Sequence, residues 1–248
     1  MKDIDELFEK YFRNYLKENA GRFTEEELEN KVPEIYDAFG NSPLEELGGL
    51  SPKEYFSSMK TGELVAAIKS CVEKNVPVSD FLCEETVSRT DAPEFLAKCV
   101  DCDLPEELAV YAVNLLAETG SDVAFEKYVG ILSDERAGES LAEAITEVLS
   151  ENADKVKEKI LSAYGKSEKA KVYFDEILSK ASADERVFSI LIDEFKTHKN
   201  ETPLYCSYLA KYGDERALPA LYERIAERGI SYIDFKELKI AIEALGGA

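Results

Sequence analysis

The sequence predicts an all-α protein, an α-solenoid (α-α superhelix) of stacked helix pairs behind an N-terminal helical cap. Three observations predict it. Apolar residues recur at helical spacing along nearly the whole chain. The 13 Gly and 8 Pro of the 248 residues fall between those periodic stretches, whereas an all-β fold would need turn residues far more often. A two-helix pattern also recurs with a period of about 30–36 residues.

Residues 1–60 read as the cap. Ile4, Leu7, Phe8, Tyr11, Phe12, Tyr15 and Leu16 make one apolar stripe on a first helix, which Gly21 stops. Thr24 and Glu27 form a capping box for a second helix carrying Leu28, Val32, Ile35, Tyr36 and Phe39, with Pro33 expected to kink or split it. Ser42-Pro43-Leu44-Glu45 and Ser51-Pro52-Lys53-Glu54 then repeat one device, a Ser N-cap with Pro at the first helical position and Glu closing the box. Two short helices are expected there, separated by Gly48-Gly49.

Residues 61–248 read as one continuous repeat domain, with helices over 62–74, 79–88, 92–101, 104–119, 121–132, 135–150, 152–164, 168–181, 184–197, 202–212, 214–228 and 233–246. The stretches beginning at Tyr111, Ala144, Tyr173 and Tyr205 align, and a partial copy follows at Ala241. Each full copy is followed by a polar break and a second apolar-periodic helix. One such pair exposes too wide an apolar face to bury alone, so pairs stack. In the last helix, Ile240, Ala241, Ala244 and Leu245 are expected to pack inward on 202–228.

The segment Leu209-Ala210-Lys211-Tyr212-Gly213-Asp214-Glu215-Arg216-Ala217-Leu218-Pro219-Ala220-Leu221 carries the most specific pattern. An apolar helix ends at a Gly, an Asp caps the next helix, and an Arg-Ala-Leu-Pro-Ala-Leu run opens it. This resembles the HEAT repeat of the phycobilisome-lyase type. The resemblance covers 204–248 well and 105–200 in periodicity only, and it does not reach 1–60. It implies a HEAT-like, armadillo-like scaffold. That fold hosts scaffolds, transport receptors, chromophore lyases and a few DNA-repair enzymes, so it assigns no activity by itself.

Charge narrows the partners. With 30 Lys+Arg against 51 Asp+Glu the chain carries −21, and residues 61–120 are the most acidic. Such a surface repels phosphate, so neither nucleic acid nor anionic membrane is an expected partner. The opening Met1-Lys2-Asp3-Ile4-Asp5-Glu6 lacks a basic-then-apolar leader, and no apolar run approaches the roughly 18 residues of a membrane span. With five Cys read as reduced thiols, a cytoplasmic location is expected.

Residues with chemical potential read mostly as scaffold. Cys99-Val100-Asp101-Cys102 is a CxxC, but Cys71 and Cys83 lie at spacings that match no common zinc module, and Cys99 continues the stripe Phe95, Leu96, Val100. His198, the single histidine, ends a helix where positive charge is favourable. Tyr205, Tyr208 and Tyr212 share a face and are expected to fill core. Asp-Glu-Arg recurs at 134–136, 184–186 and 214–216, which capping and a local ion pair explain. No phosphate-binding, dinucleotide or HExxH motif occurs. No catalytic, cofactor-binding or metal residue is therefore assigned, and no cofactor is expected. The leading expectation is a non-enzymatic scaffold for a protein or peptide, bound on the second helices 121–132, 152–164, 184–197 and 214–228. The alternative is a cofactor-handling or lyase-type enzyme on the same scaffold. On this reading elemental analysis of the purified protein finds no stoichiometric zinc, and Cys99→Ser with Cys102→Ser leaves the helical circular-dichroism signal unchanged. About one zinc per chain lost with these thiols would overturn it.

Overall fold

A computed structural model describes residues 2–247. Among them every regular element is helical, and the helices pack largely on their sequence neighbours. The chain divides into two compact units, 1–123 and 124–248.

The first unit holds α1 (Ile4–Glu18), α2 (Glu25–Gly40), a 3-10 turn (Glu45–Leu47), α3 (Pro52–Ser57), α4 (Thr61–Glu73), α5 (Asp80–Ser88), α6 (Ala92–Leu96) and α7 (Glu106–Glu118). Aromatic rings make its core near the start of the chain. Phe8 of α1 lies 5.3 Å from Phe39 of α2, and Tyr36 stacks on Phe81 of α5 at 4.7 Å. Full burial of such a ring, as at Phe39 and Phe81, stabilises by about 2–3 kcal/mol. The core thus crosses residue 60, because Phe81 seats against α2. Gly40 permits that seat: a Cβ there would stand 2.5 Å from the Phe81 ring.

Most local signals act as their chemistry requires. Thr24 and Glu27 close the capping box of α2, and Ser51 and Glu54 close that of α3. Pro33 sits within α2 without splitting it, the helix running unbroken to Gly40. The first Ser-Pro device does not cap an α-helix. Ser42 instead donates its hydroxyl to Ala38 O at 2.7 Å, and the chain reverses after one 3-10 turn, with Leu44 N–H donating to Leu50 O at 3.0 Å. The expected helix over 92–101 likewise stops at Leu96, and Cys99 lies buried in the turn that follows.

The second unit holds α8 (Phe125–Leu132), α9 (Glu139–Glu151), α10 (Ala153–Ala163), α11 (Glu168–Leu178), α12 (Glu185–Thr197), α13 (Thr202–Tyr212), α14 (Leu218–Ile225) and α15 (Tyr232–Ala244). Helices α9, α11, α13 and α15 pack each on the next in that series, and α8 packs on α10. Gly213, at φ +78°, ends α13 in the left-handed conformation that a side chain disfavours, and its N–H donates to Leu209 O. Asp214 then accepts from Arg216 N at 3.0 Å, and Pro219 falls in the first turn of α14, where its missing N–H costs nothing.

The last helix corrects one expectation. Leu238, Ala241, Ile242 and Leu245 point inward, whereas Ile240 is 49% exposed and Ala244 is exposed. The helix is rotated from the expected register because its buried line runs through 238, 241, 242 and 245, an i, i+3, i+4, i+7 stripe.

Side chains stitch the pairs together. Arg186 at the start of α12 grips Asp184 and reaches back to Glu158 of α10 at 3.0 Å. Arg216 repeats this one pair later, gripping Asp214, reaching Glu185 at 2.8 Å and covering the Phe188 ring at 4.2 Å. Arg224 of α14 is only 6% exposed. Its guanidinium donates to Phe195 O and Lys196 O, open carbonyls at the end of α12, and to the Thr202 hydroxyl at 3.2 Å. Removing a buried charged donor leaves those acceptors unpaired. Arg224→Ala should lower the urea-unfolding free energy by about 2–4 kcal/mol. Arg224→Lys should recover only part of it, since one ammonium cannot reproduce the fork.

Candidate functional site

Two features of the second unit carry chemistry, one closed and one open. The closed one surrounds Asp175, a carboxylate on the apolar face of α11 that includes Ala170, Phe174, Ile177 and Leu178, with 0% exposure. Tyr164, which follows α10, donates its hydroxyl to Asp175 Oδ1 at 2.6 Å, while Oδ2 has no hydrogen-bond partner. Glu194 of α12 lies beside this pair. Its carboxylate stands 3.0 Å from His198 Nδ1 and 3.7 Å from Lys171 Nζ. The His198 ring stacks on Tyr205 of α13 at 4.8 Å, and Tyr205 meets Tyr208 edge-on at 5.8 Å.

Burial pushes the Asp175 carboxyl up to about 7, with the nearby Glu194 carboxylate adding to the rise. The Tyr164 hydroxyl, His198 and Lys171 pull the other way. The Tyr164 phenol is pushed far up, first by burial and then by Asp175. This arrangement holds a proton between elements. It is no open catalytic centre, because a solute reaches a fully buried carboxylate only by opening the fold.

The open feature is a groove of about 520 Å³ between α8 and α10. Val129, Gly130 and Ala163 supply its apolar surface, Ser133 and Ser162 line it, and Glu126, Glu158, Lys159 and Lys166 complete it. Lys159 pairs with Glu126 across it at 3.3 Å, and Glu158 is held by Arg186. A Cβ added to Gly130 would meet nothing within 4 Å, so the surface at that point is open. A trough of similar size on α1 is lined by Lys2, Lys10, Arg13 and Lys17 beside Asp3, Glu6 and Glu46. There Lys10 is bonded to Glu46 and Arg13 to Glu9, and Leu7 is the one apolar residue of the lining, so the trough lacks the apolar strip that the α8–α10 groove has.

The structure separates the residues singled out in the sequence. Tyr205 and Tyr208 fill core at 4% and 2% exposure. Tyr212 fixes the α11–α12 turn, its hydroxyl accepting from Asp184 N at 2.7 Å and donating to Asp184 O at 3.0 Å. The Asp-Glu-Arg triplets form the local ion pairs expected of them, and Asp184 and Asp214 cap the helical turns that follow, whereas 134–136 lies in a turn and α9 opens only at Glu139. Among the described residues no group of three or more His, Cys, Asp or Glu side chains is placed to hold a metal ion, and no helix is long and apolar enough to cross a membrane. His198 does acquire partners that sequence reasoning missed. Glu194, one turn before it, was visible as a pair, and Asp175 was visible as a charge within an apolar stripe.

No family model matches the chain, and no significant match emerged among curated proteins or solved structures. What is shown is an all-α protein of sequentially packed helix pairs.

Asp175 also sets a pH dependence. Its carboxyl is raised above the roughly 3.9 of an unfolded chain, so the folded state binds the proton more tightly and stability falls as pH rises from about 4 through 7. Asp175→Asn removes that loss while keeping an acceptor for Tyr164. The variant should match wild type near pH 4 and exceed it by about 2–4 kcal/mol at pH 8, read from denaturant titrations at both values. A difference that does not change with pH would show that Asp175 titrates alike in the folded and unfolded chain, so that its carboxyl is not raised by burial.

Proposed function

We propose that this protein is a non-enzymatic helical-repeat scaffold whose second unit is a short HEAT-like solenoid, and that the α8–α10 groove binds a short segment of a protein partner. The groove itself carries the reading. It is lined by residues from 126 to 133 and from 158 to 166, over two of the four second-helix spans expected to form the binding face, 121–132 and 152–164, and it pairs an apolar strip with charges of both signs. The repeat reading draws support from the equivalent roles of Arg186 and Arg216, each gripping an Asp two residues earlier and a Glu of the preceding pair.

The chemistry of the groove selects the occupant. A helix-sized segment would lay small or aliphatic side chains on Val129, Gly130 and Ala163. A cation would sit beside Glu126 and Glu158, and an acid beside Lys159 and Lys166. Phosphate-rich partners are disfavoured by the −21 charge of the chain.

Gly130 makes the test clean, since it faces open space on α8. A random peptide library displayed on phage should yield clones that bind wild type. Those clones should lose binding to Gly130→Trp, which fills the groove, and keep it with Gly130→Ala, which should itself stabilise α8 by about 0.5–1 kcal/mol. A library that yields no binders, or binders indifferent to Gly130→Trp, would overturn the proposal.

A further inference from the structure

Large apolar side chains are left outside mainly on one helix. Tyr232, Ile233, Phe235 and Ile240 of α15 are 79%, 64%, 44% and 49% exposed, and Leu50, Val123 and Tyr222 are the other large apolar residues so exposed among those described. The opposite side of α15 is fully used, with Leu238, Ala241 and Ile242 buried and the helix packed on α13 and α14. Ile233 and Ile240, seven residues apart, share one line on the outside of α15, with Tyr232 and Phe235 farther round the helix, so α15 carries a second apolar line besides the one already occupied. Exposed patches of this kind mark interaction sites.

Spacing and charge say what covers it. Ile233, Glu237, Ile240 and Ala244 follow one another at steps of four, three and four, which places them in one line along the helix, as in the seam of a helix pair. Lys236 and Glu243 flank that line on one side. They lean weakly along their own helix, Lys236 toward Glu237 at 3.8 Å and Lys239 toward Glu243 at 3.6 Å, with both lysines more than half exposed. Two copies of α15 laid antiparallel bring Ile233 against Ala244 of the other copy and Ile240 against the aliphatic stem of Glu237. The same register sets Lys236 beside Glu243 on both sides of the two-fold axis. A chain carrying −21 repels its own copy over most of its surface. On this face two lysines stand among Glu237 and Glu243, so the repulsion is locally offset and opposite charges meet. A two-fold contact requires a self-complementary patch, and this is one.

We propose that the protein associates with a second copy of itself through antiparallel pairing of α15, independently of the α8–α10 groove. The interface is small, so the affinity expected is micromolar. Sedimentation velocity on the full chain from about 1 to 100 μM, a range that brackets such a Kd, should show a shift from one to two chain masses. Ile240→Asp and Lys236→Glu should each raise the dissociation constant about tenfold or more. Because both positions are exposed, neither variant should alter the circular-dichroism melting curve. Lys236→Glu combined with Glu243→Lys should restore association to within about threefold of wild type, since the swap re-creates the opposed pair. A single-chain mass throughout the range would overturn the proposal, as would a dimer indifferent to Ile240→Asp. A charge swap that fails to restore association would overturn the antiparallel register.

Discussion

Helices of 8 to 13 residues, such as α8 through α15, are too short to persist alone in water, where nucleation and end effects outweigh the gain from so few turns. Each must bury an apolar stripe on something else, and the nearest something is the helix one or two places along the chain. That constraint sets the architecture of the second unit. Leu141, Ile145 and Leu149 of α9, Phe174, Ile177 and Leu178 of α11, Tyr205 and Leu209 of α13, and Leu238 and Ile242 of α15 are all nearly sealed from water. They do the same job on successive helices of one packed series. The first unit meets the same requirement with aromatic rings drawn from α1, α2 and α5.

Polar side chains then specify how the pairs align. Apolar stripes tolerate sliding and rotation, because burial depends on area rather than direction. Guanidinium forks do not, since each donor needs its acceptor in place. Arg186 and Arg216 lock each turn to the pair before it, Arg224 closes the open end of α12, and the Tyr212 hydroxyl clamps both sides of Asp184. The exposed pairs add more geometry than energy, whereas buried Arg224 adds both.

The Asp175 network shows the opposite balance. A buried carboxylate with one unpartnered oxygen opposes folding near neutral pH, so packing around it has to be strong enough to hold it. What the network provides is direction. Tyr164, Lys171, Glu194, His198 and Tyr205 come from four consecutive segments, and each has one place to be. The groove between α8 and α10 lies elsewhere on the same unit, where these two helices pack on each other, so an open surface sits on a packed frame.

Local chemistry was legible from residues alone. Helical periods, the Thr24 and Ser51 boxes, the Gly213 stop and the Asp214 cap all follow from interactions within one or two turns, which a sequence displays directly. Tertiary structure decided the rest, because those outcomes depend on groups far apart in the chain. Ser42-Pro43 carries the same local signal as Ser51-Pro52, yet only the second opens an α-helix, since the loop closed by Leu44 and Leu50 competes with the first. Ile240 and Ile242 are equally apolar, and only the position of α13 and α14 buries one and exposes the other. Asp175, Glu194 and His198 are ordinary polar residues in the sequence and become a network only when α11, α12 and α13 converge. A groove such as that between α8 and α10 has no sequence signature at all, because it is the space between two helices rather than a property of either.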